Sequence, residues 1–193
     1  MEDLAYIVEP AQSSFIQEET SRLQFGMPSE PLVGTLLRTL AASKPAGSFL
    51  ELGTGTGLAT AWLLSGMDAA STLTSIDTDA AVQAVARQAL GNDARLKLLL
   101  SDGIEYLRAQ EHRSFDLVFA DAMPGKYNGL DEALAVVRVG GFYVIDDMLP
   151  QPNWPEGHAA KIPVLMEQLA KHPDFVLLPL VWSSGVAVMV RRN

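Results

Sequence analysis

The sequence predicts an α/β fold, in which five βα units build a mostly parallel sheet with helices on both faces and a final pair of strands adds an antiparallel C-terminal hairpin. Three observations carry this expectation. Short apolar runs alternate with helical patterns from residue 48 to residue 171. A glycine-rich turn, Gly53-Thr54-Gly55-Thr56-Gly57, joins the first apolar run to the helical pattern behind it. The last two runs are linked only by Ser183-Ser184-Gly185, too short for the crossover that parallel strands need.

The elements follow in order. Residues 1–24 are amphipathic and helical in part, and Phe25-Gly26-Met27-Pro28-Ser29-Glu30-Pro31 is a turn-rich break. Leu32, Leu36, Leu37 and Leu40 recur at helical spacing and mark a core-facing helix. Lys44-Pro45-Ala46-Gly47 closes this N-terminal helical segment, residues 1–45. Strand 48–52 precedes helix 57–66, strand 71–76 precedes helix 79–90, and strand 95–100 precedes a short helix over 103–109. Strand 115–120 leads to helix 129–138, and strand 141–146 to a Pro-rich connection at 149–155. Helix 158–171 and strands 175–181 and 186–191 complete the chain.

Composition sets the outer limits. The 193 residues are expected to form a single domain, 1–193, large enough to bury a core; 48% are hydrophobic and 19% charged. Fourteen basic against 23 acidic residues give a formal charge of −9, which argues against a nucleic-acid surface. There is no cysteine, hence no disulfide and no thiolate metal site. The start, Met-Glu-Asp-Leu, lacks the basic and apolar parts of a signal peptide, and no apolar run approaches a membrane span. The expectation is a cytoplasmic protein with no membrane partner.

Ligands of open α/β sheets bind outside the carboxyl ends of the strands. Here those ends carry acids throughout: Glu51, Asp77, Asp102, Asp121, and the pair Asp146 and Asp147. Such a rim repels phosphate and suits a ligand with an ammonium group, a sulfonium and ribose hydroxyls. The glycine spacing agrees. A dinucleotide site expects G-x-G-x-x-G/A, whereas here the third glycine comes one residue early and Leu58 stands where Gly or Ala belongs. Asp77 lies about two dozen residues past the first glycine, a spacing at which an acid accepts ribose hydroxyls. Asp77 and Asp102 are also placed to cap the helices that follow them.

The pattern E-x-G-x-G-x-G, formed by Glu51, Gly53, Gly55 and Gly57, resembles the nucleotide-binding loop of class I S-adenosylmethionine-dependent methyltransferases. The five βα units and hairpin likewise resemble that family's Rossmann-like seven-stranded sheet, in which one strand runs against the others. The resemblance implies that Glu51, Gly53, Thr54, Gly55 and Gly57 surround the methionine part of S-adenosylmethionine. It puts Asp77 at the ribose, Thr78 against the adenine face, and Asp102 and Gly103 at the adenine edge. Met27 matches a methionine near the cofactor in some small-molecule O-methyltransferases, or is a core residue.

The stretch Phe115-Asp116-Leu117-Val118-Phe119-Ala120-Asp121-Ala122, then Lys126-Tyr127, then Gly141-Phe142-Tyr143-Val144-Ile145-Asp146-Asp147, is similar to the catechol and caffeoyl-CoA type of O-methyltransferase. The likeness runs from about Met27 to Met148. It implies a small-molecule acceptor and a homodimer, with Asp121, Lys126 and Asp147 as the catalytic residues and Asp121 also touching the cofactor. In that family the acid matching Asp121 and an Asp-Asn pair hold a divalent metal. Here Met148 replaces the asparagine, and thioether sulfur is a poor ligand for hard cations, so metal binding stays open; His158 is a candidate replacement ligand or a surface residue. Lys126 is a general base, an oxyanion-stabilising group or a solvated loop residue. Residues 147–158, with Trp154 as a flat wall, are expected to border the acceptor. The alternatives are a protein or nucleic-acid acceptor, a non-catalytic cofactor-binding module, and an NAD(P)-dependent oxidoreductase.

Overall fold

A computed structural model describes residues 3–193; the expectation for the amphipathic start extends to residues 1 and 2, which lie outside the described residues. Seven strands form one sheet: β1 (Ser48–Leu52), β2 (Thr72–Asp77), β3 (Leu96–Leu100), β4 (Phe115–Ala120), β5 (Val137–Ile145), β6 (Phe175–Leu180) and β7 (Val186–Arg191). Their order is β3-β2-β1-β4-β5-β7-β6. Strands β1 to β5 pair in parallel, and β7 runs antiparallel to both neighbours. The expected Rossmann-like sheet and closing hairpin are both present.

Strand alternation sorts the side chains into two cores. On one face Phe49, Leu73, Leu117, Phe119 and Val144 pack with helices α1 (Ser13–Arg22), α2 (Pro31–Ala42), α3 (Leu58–Gly66) and α4 (Ala80–Leu90). On the other, Leu50, Leu52, Val118, Tyr143 and Ile145 pack with α5 (Gly103–Arg108), α6 (Leu130–Ala135) and α7 (Lys161–Lys171). Helix α3 is apolar around its circumference because Leu58 to Leu64 are all buried between the sheet and the outer helices. In α2 the buried positions are Val33, Gly34, Leu37 and Ala41, while Leu36 and Leu40 pack from its flank.

Two expected boundaries move. The helix expected over 129–138 ends at Ala135, and β5 begins at Val137 rather than at residue 141. Val136, Val137 and Val139 are β-branched and favour a strand, and the shift in register between Phe115 and Leu117 absorbs the extra residues. The helix expected over 158–171 opens with a 3-10 turn at His158–Ala160 before α7 begins. Among the described residues no helix is long and apolar enough to cross a membrane.

Candidate functional site

Strand order reverses between β1 and β4: the chain steps outward from β1 to β2 and β3, then returns to β4 on β1's other side. That switch point leaves a crevice at the carboxyl ends of the strands. A cavity of about 520 Å³ lies there, within the range of small-ligand sites. The glycine turn borders one end and the loops after β4 and β5 border the other.

Gly53 has φ +101, and a Cβ there would lie 2.7 Å from the Asp121 carbonyl oxygen, so the turn crosses the end of β4 at a distance that only glycine permits. The Gly55 N–H donates to Asp77 Oδ2 at 2.8 Å, and the Asp79 N–H to Asp77 Oδ1 at 2.9 Å. Asp77 is thus aimed by its own backbone surroundings while its carboxylate still faces the cavity. The helix cap behind it is Asp79, which accepts from the N–H groups of Ala81 and Val82. Beneath the turn, the Thr54 and Ser75 hydroxyls are 2.7 Å apart, and Gln83 Nε2 donates to Thr54 Oγ1 at 3.2 Å. Met27, Gly53, Thr54, Gly55, Asp77, Thr78, Gly103, Asp121, Lys126 and Asp147 all line the cavity.

Three sequence-based candidates stand elsewhere. Glu51 is fully buried on the face it shares with Phe49; its Oε2 accepts from Thr60 at 2.5 Å and from the Ser75 hydroxyl, and its Oε1 has no partner. Burial pushes its carboxyl up to about 7, against the pull of those two hydroxyls. It supports the turn from below and does not border the cavity. Asp102 caps α5, accepting from the N–H groups of Ile104 and Glu105, while its neighbours Ser101 and Gly103 line the cavity. Gly57, at φ +98, packs on α4, where a Cβ would lie 2.7 Å from that of Ala86.

The other end of the cavity is built on Lys126, which is 5% exposed and so no solvated loop residue. Its Nζ donates to the carbonyl oxygens of Asp146 at 2.6 Å and Asp147 at 3.1 Å. Burial lowers its affinity for a proton, and Asp147, Asp121 and Asp146 restore part of it. Burial also holds the Asp121 carboxyl well above the ordinary range, with Asp146 and Asp147 adding to the shift and Lys126 opposing it. Asp146 is raised to about 6, chiefly by burial. The Ser29 hydroxyl donates to Asp121 Oδ2 at 3.2 Å. Tyr127, Trp154 and His158 form an aromatic wall, the His158 ring centroid lying 4.5 Å from that of Trp154 and 5.2 Å from that of Tyr127. Desolvation, then Lys161 and Lys126, lowers the His158 pKa. Across the mouth, Asn153 Nδ2 donates to the Gly26 carbonyl at 2.8 Å.

The donor set does not fit a divalent ion. Met148 is buried in the core below the sheet and is absent from the cavity wall. The Asp146 carboxylate is engaged by the Ser184 hydroxyl and the Asp147 N–H. Among the described residues no three His, Asp or Glu side chains gather into a metal-holding group. Met27 was named from the turn-rich break 25–31, but not its neighbours Phe25 and Ser29, which also line the cavity, Ser29 reaching Asp121 92 positions away.

A family model described as "Methyltransferase domain" matches residues 50–148, just over half of the chain. A provisionally named O-methyltransferase from Mycolicibacterium vanbaalenii is 37% identical over 120 residues, covering 60% of this chain and 53% of the relative. The chain spans about half the length of the curated relatives it matches. In fold, it is similar to the O-methyltransferase TomG from Streptomyces achromogenes, solved with SAM (TM-score 0.83, 20% identity, 98% of this chain and 93% of that one). It is also similar to an O-methyltransferase from Bacillus cereus, solved with SAH (TM-score 0.78, 19% identity, 97% and 94%).

Proposed function

The chain belongs to the methyltransferase-domain family, and from that membership we propose that it transfers the methyl group of S-adenosylmethionine to a hydroxyl oxygen of a small-molecule acceptor. One observation carries the reading. A single cavity has carboxylates and a glycine turn at one end, and a buried lysine with an aromatic wall at the other. The glycine end bears no basic side chain; Lys126 and His158 both stand at the far end. A pyrophosphate cofactor would meet the carboxylates of this rim, which repel it, whereas an ammonium and a ribose diol would find Asp121 and Asp77.

Bound S-adenosylmethionine supplies a methyl carbon already activated by its sulfonium. The chain's residues do the rest by placement. Gly53, Thr54 and Gly55 hold the amino-acid tail, with Glu51 and Gly57 fixing the turn from behind. Asp77 accepts the ribose hydroxyls. Thr78 lies on the adenine face, Ser101 and Gly103 meet its edge with Asp102 capping the helix beside them, and Met27 closes the rim. Asp121 and Asp147 orient donor and acceptor. Lys126, with two of its N–H bonds fixed on carbonyls, turns its remaining tetrahedral position to the acceptor oxygen. The aromatic wall of Tyr127, Trp154 and His158 suits a flat acceptor better than a polymer.

This reading takes the chain as one domain, 1–193, working in the cytoplasm as a homodimer. Val176 and Leu178 on the edge strand β6, each 54% exposed, support the pairing. Calorimetric titration with S-adenosylmethionine and, separately, NADH tests the cofactor, and methyl release over a panel of phenols tests the reaction. Uptake of NADH without S-adenosylmethionine would overturn both.

A further inference from the structure

The residues at the acceptor end already provide a positive charge where an acceptor oxygen would lie. Lys126 is carried by the loop after β4, and its ammonium is drawn onto the backbone of the loop after β5, at 2.6 and 3.1 Å from two successive carbonyl oxygens. The second loop is itself pinned. The Met148 N–H donates to the Gly185 carbonyl and the Leu149 N–H to the Ser184 carbonyl, both at 2.9 Å. Asp147 sits at φ 54, a conformation non-glycine residues seldom adopt. These ties turn the Met148 side chain into the core and leave Asp147 facing the cavity. Of the acids in this corner, Asp121 and Asp147 line the cavity, and both act on the charge of Lys126. A hard divalent ion can be held by as few as two carboxylates with waters, but here both carboxylates of this corner that line the cavity already act on a like charge, that of Lys126.

We propose that the Lys126 ammonium is the cation of the acceptor site and engages the acceptor oxyanion itself, so that methyl transfer by this chain needs no divalent metal. This rests on the methyltransferase reading above. The acceptor O–H gives its proton to water, and the oxyanion is held by the free N–H of Lys126. An oxygen lone pair forms the new O–C bond while the pair of the breaking C–S bond returns to sulfur. Ether, thioether and one proton are the products, with atoms and charge in balance.

Magnesium and manganese titrated separately into the protein saturated with S-adenosylhomocysteine are expected to give no binding at millimolar concentration. Methyl transfer to catechol is expected to be equal in EDTA and in magnesium chloride. In EDTA, Lys126→Met should lose about 10²–10³-fold in kcat, while Lys126→Arg, which keeps the charge, should retain more of it. Both variants should bind S-adenosylhomocysteine with the wild-type affinity, which separates a lost cation from a lost fold. Stoichiometric metal uptake, turnover that falls in EDTA and returns with magnesium, or a fully active Lys126→Met would each overturn the proposal. Failure of the wild type to bind S-adenosylhomocysteine would count instead against the function reading.

Discussion

The Gly55 N–H donates to Asp77 Oδ2 at 2.8 Å, which ties the turn after β1 to the acid at the end of β2. The two elements line the cavity from different strands and are therefore positioned as one unit, so the carboxylate need not reorganise when a ligand arrives. Asp77→Asn keeps an oxygen for the Gly55 N–H but removes the charge. A hydrogen bond to a charged group contributes about 1.5–3 kcal/mol, so affinity for S-adenosylhomocysteine should fall roughly tenfold to a hundredfold, and the Asp79 N–H loses its acceptor. Calorimetric titration of both forms measures this. An unchanged Kd would remove Asp77 from the cofactor site.

Trp154 stands half-buried at the far end of the same cavity, its ring against that of His158. The Lys126 ammonium lies 6.0 Å from its ring centroid, at the end of the cavity away from the glycine turn. Trp154→Ala should therefore raise KM for a phenolic acceptor by about tenfold while leaving S-adenosylhomocysteine affinity as it is. Steady-state kinetics against each substrate in turn separates the two. A weakened cofactor site with an unchanged acceptor KM would reverse the assignment of the two ends.

How much of this was legible beforehand depends on how local the cause is. The strand, turn and helix at 48–66 could be read because the apolar run and the three glycines are contiguous, and the closing hairpin because its link is three residues long. Glu51 was expected at the cofactor and instead lies buried off the cavity lining, a placement for which a signal existed. Alternation puts Phe49 and Glu51 on one face of β1, toward α3 and not toward the open strand end, and Thr60 waits there as its partner. Lys126 was legible as a candidate, but its burial was not, because that depends on the loop over 123–128 folding back on the end of β5. The contact of Ser29 with Asp121 arises only when the break at 25–31 crosses the cavity mouth, and periodicity carries no trace of it.

Met148 gives a stability test of the site's geometry. It is 8% exposed and packs in the core formed with α5, α6 and α7. Met148→Asn buries an amide where apolar side chains surround it, which should cost about 2–4 kcal/mol. Chemical denaturation measures the loss. Because the side chain points into the core, the variant should gain no affinity for magnesium. A variant as stable as the wild type that binds magnesium would show that position 148 faces the cavity after all.

Glu51 makes stability depend on pH in a definable window. Its carboxyl is raised from 4.5 to about 7 in the folded chain, first by burial. The folded state thus holds a proton that the unfolded state has released, and stability falls as pH rises between those values. Its contribution is complete below the unfolded value and lost through the folded one. A shift of this size corresponds to roughly 3 kcal/mol over the window. Asp121, Asp146 and Asp147 are raised as well and slope in the same direction, so the wild type alone cannot isolate Glu51. Glu51→Gln removes its share, since a neutral amide can still accept from Thr60 and Ser75. Melting temperatures of the two proteins should diverge as pH increases, the variant holding more of its stability at the alkaline end. Parallel curves would mean that the Glu51 carboxyl is already ionised in the folded protein, and that its unpartnered Oε1 carries a charge stabilised by something other than these hydroxyls.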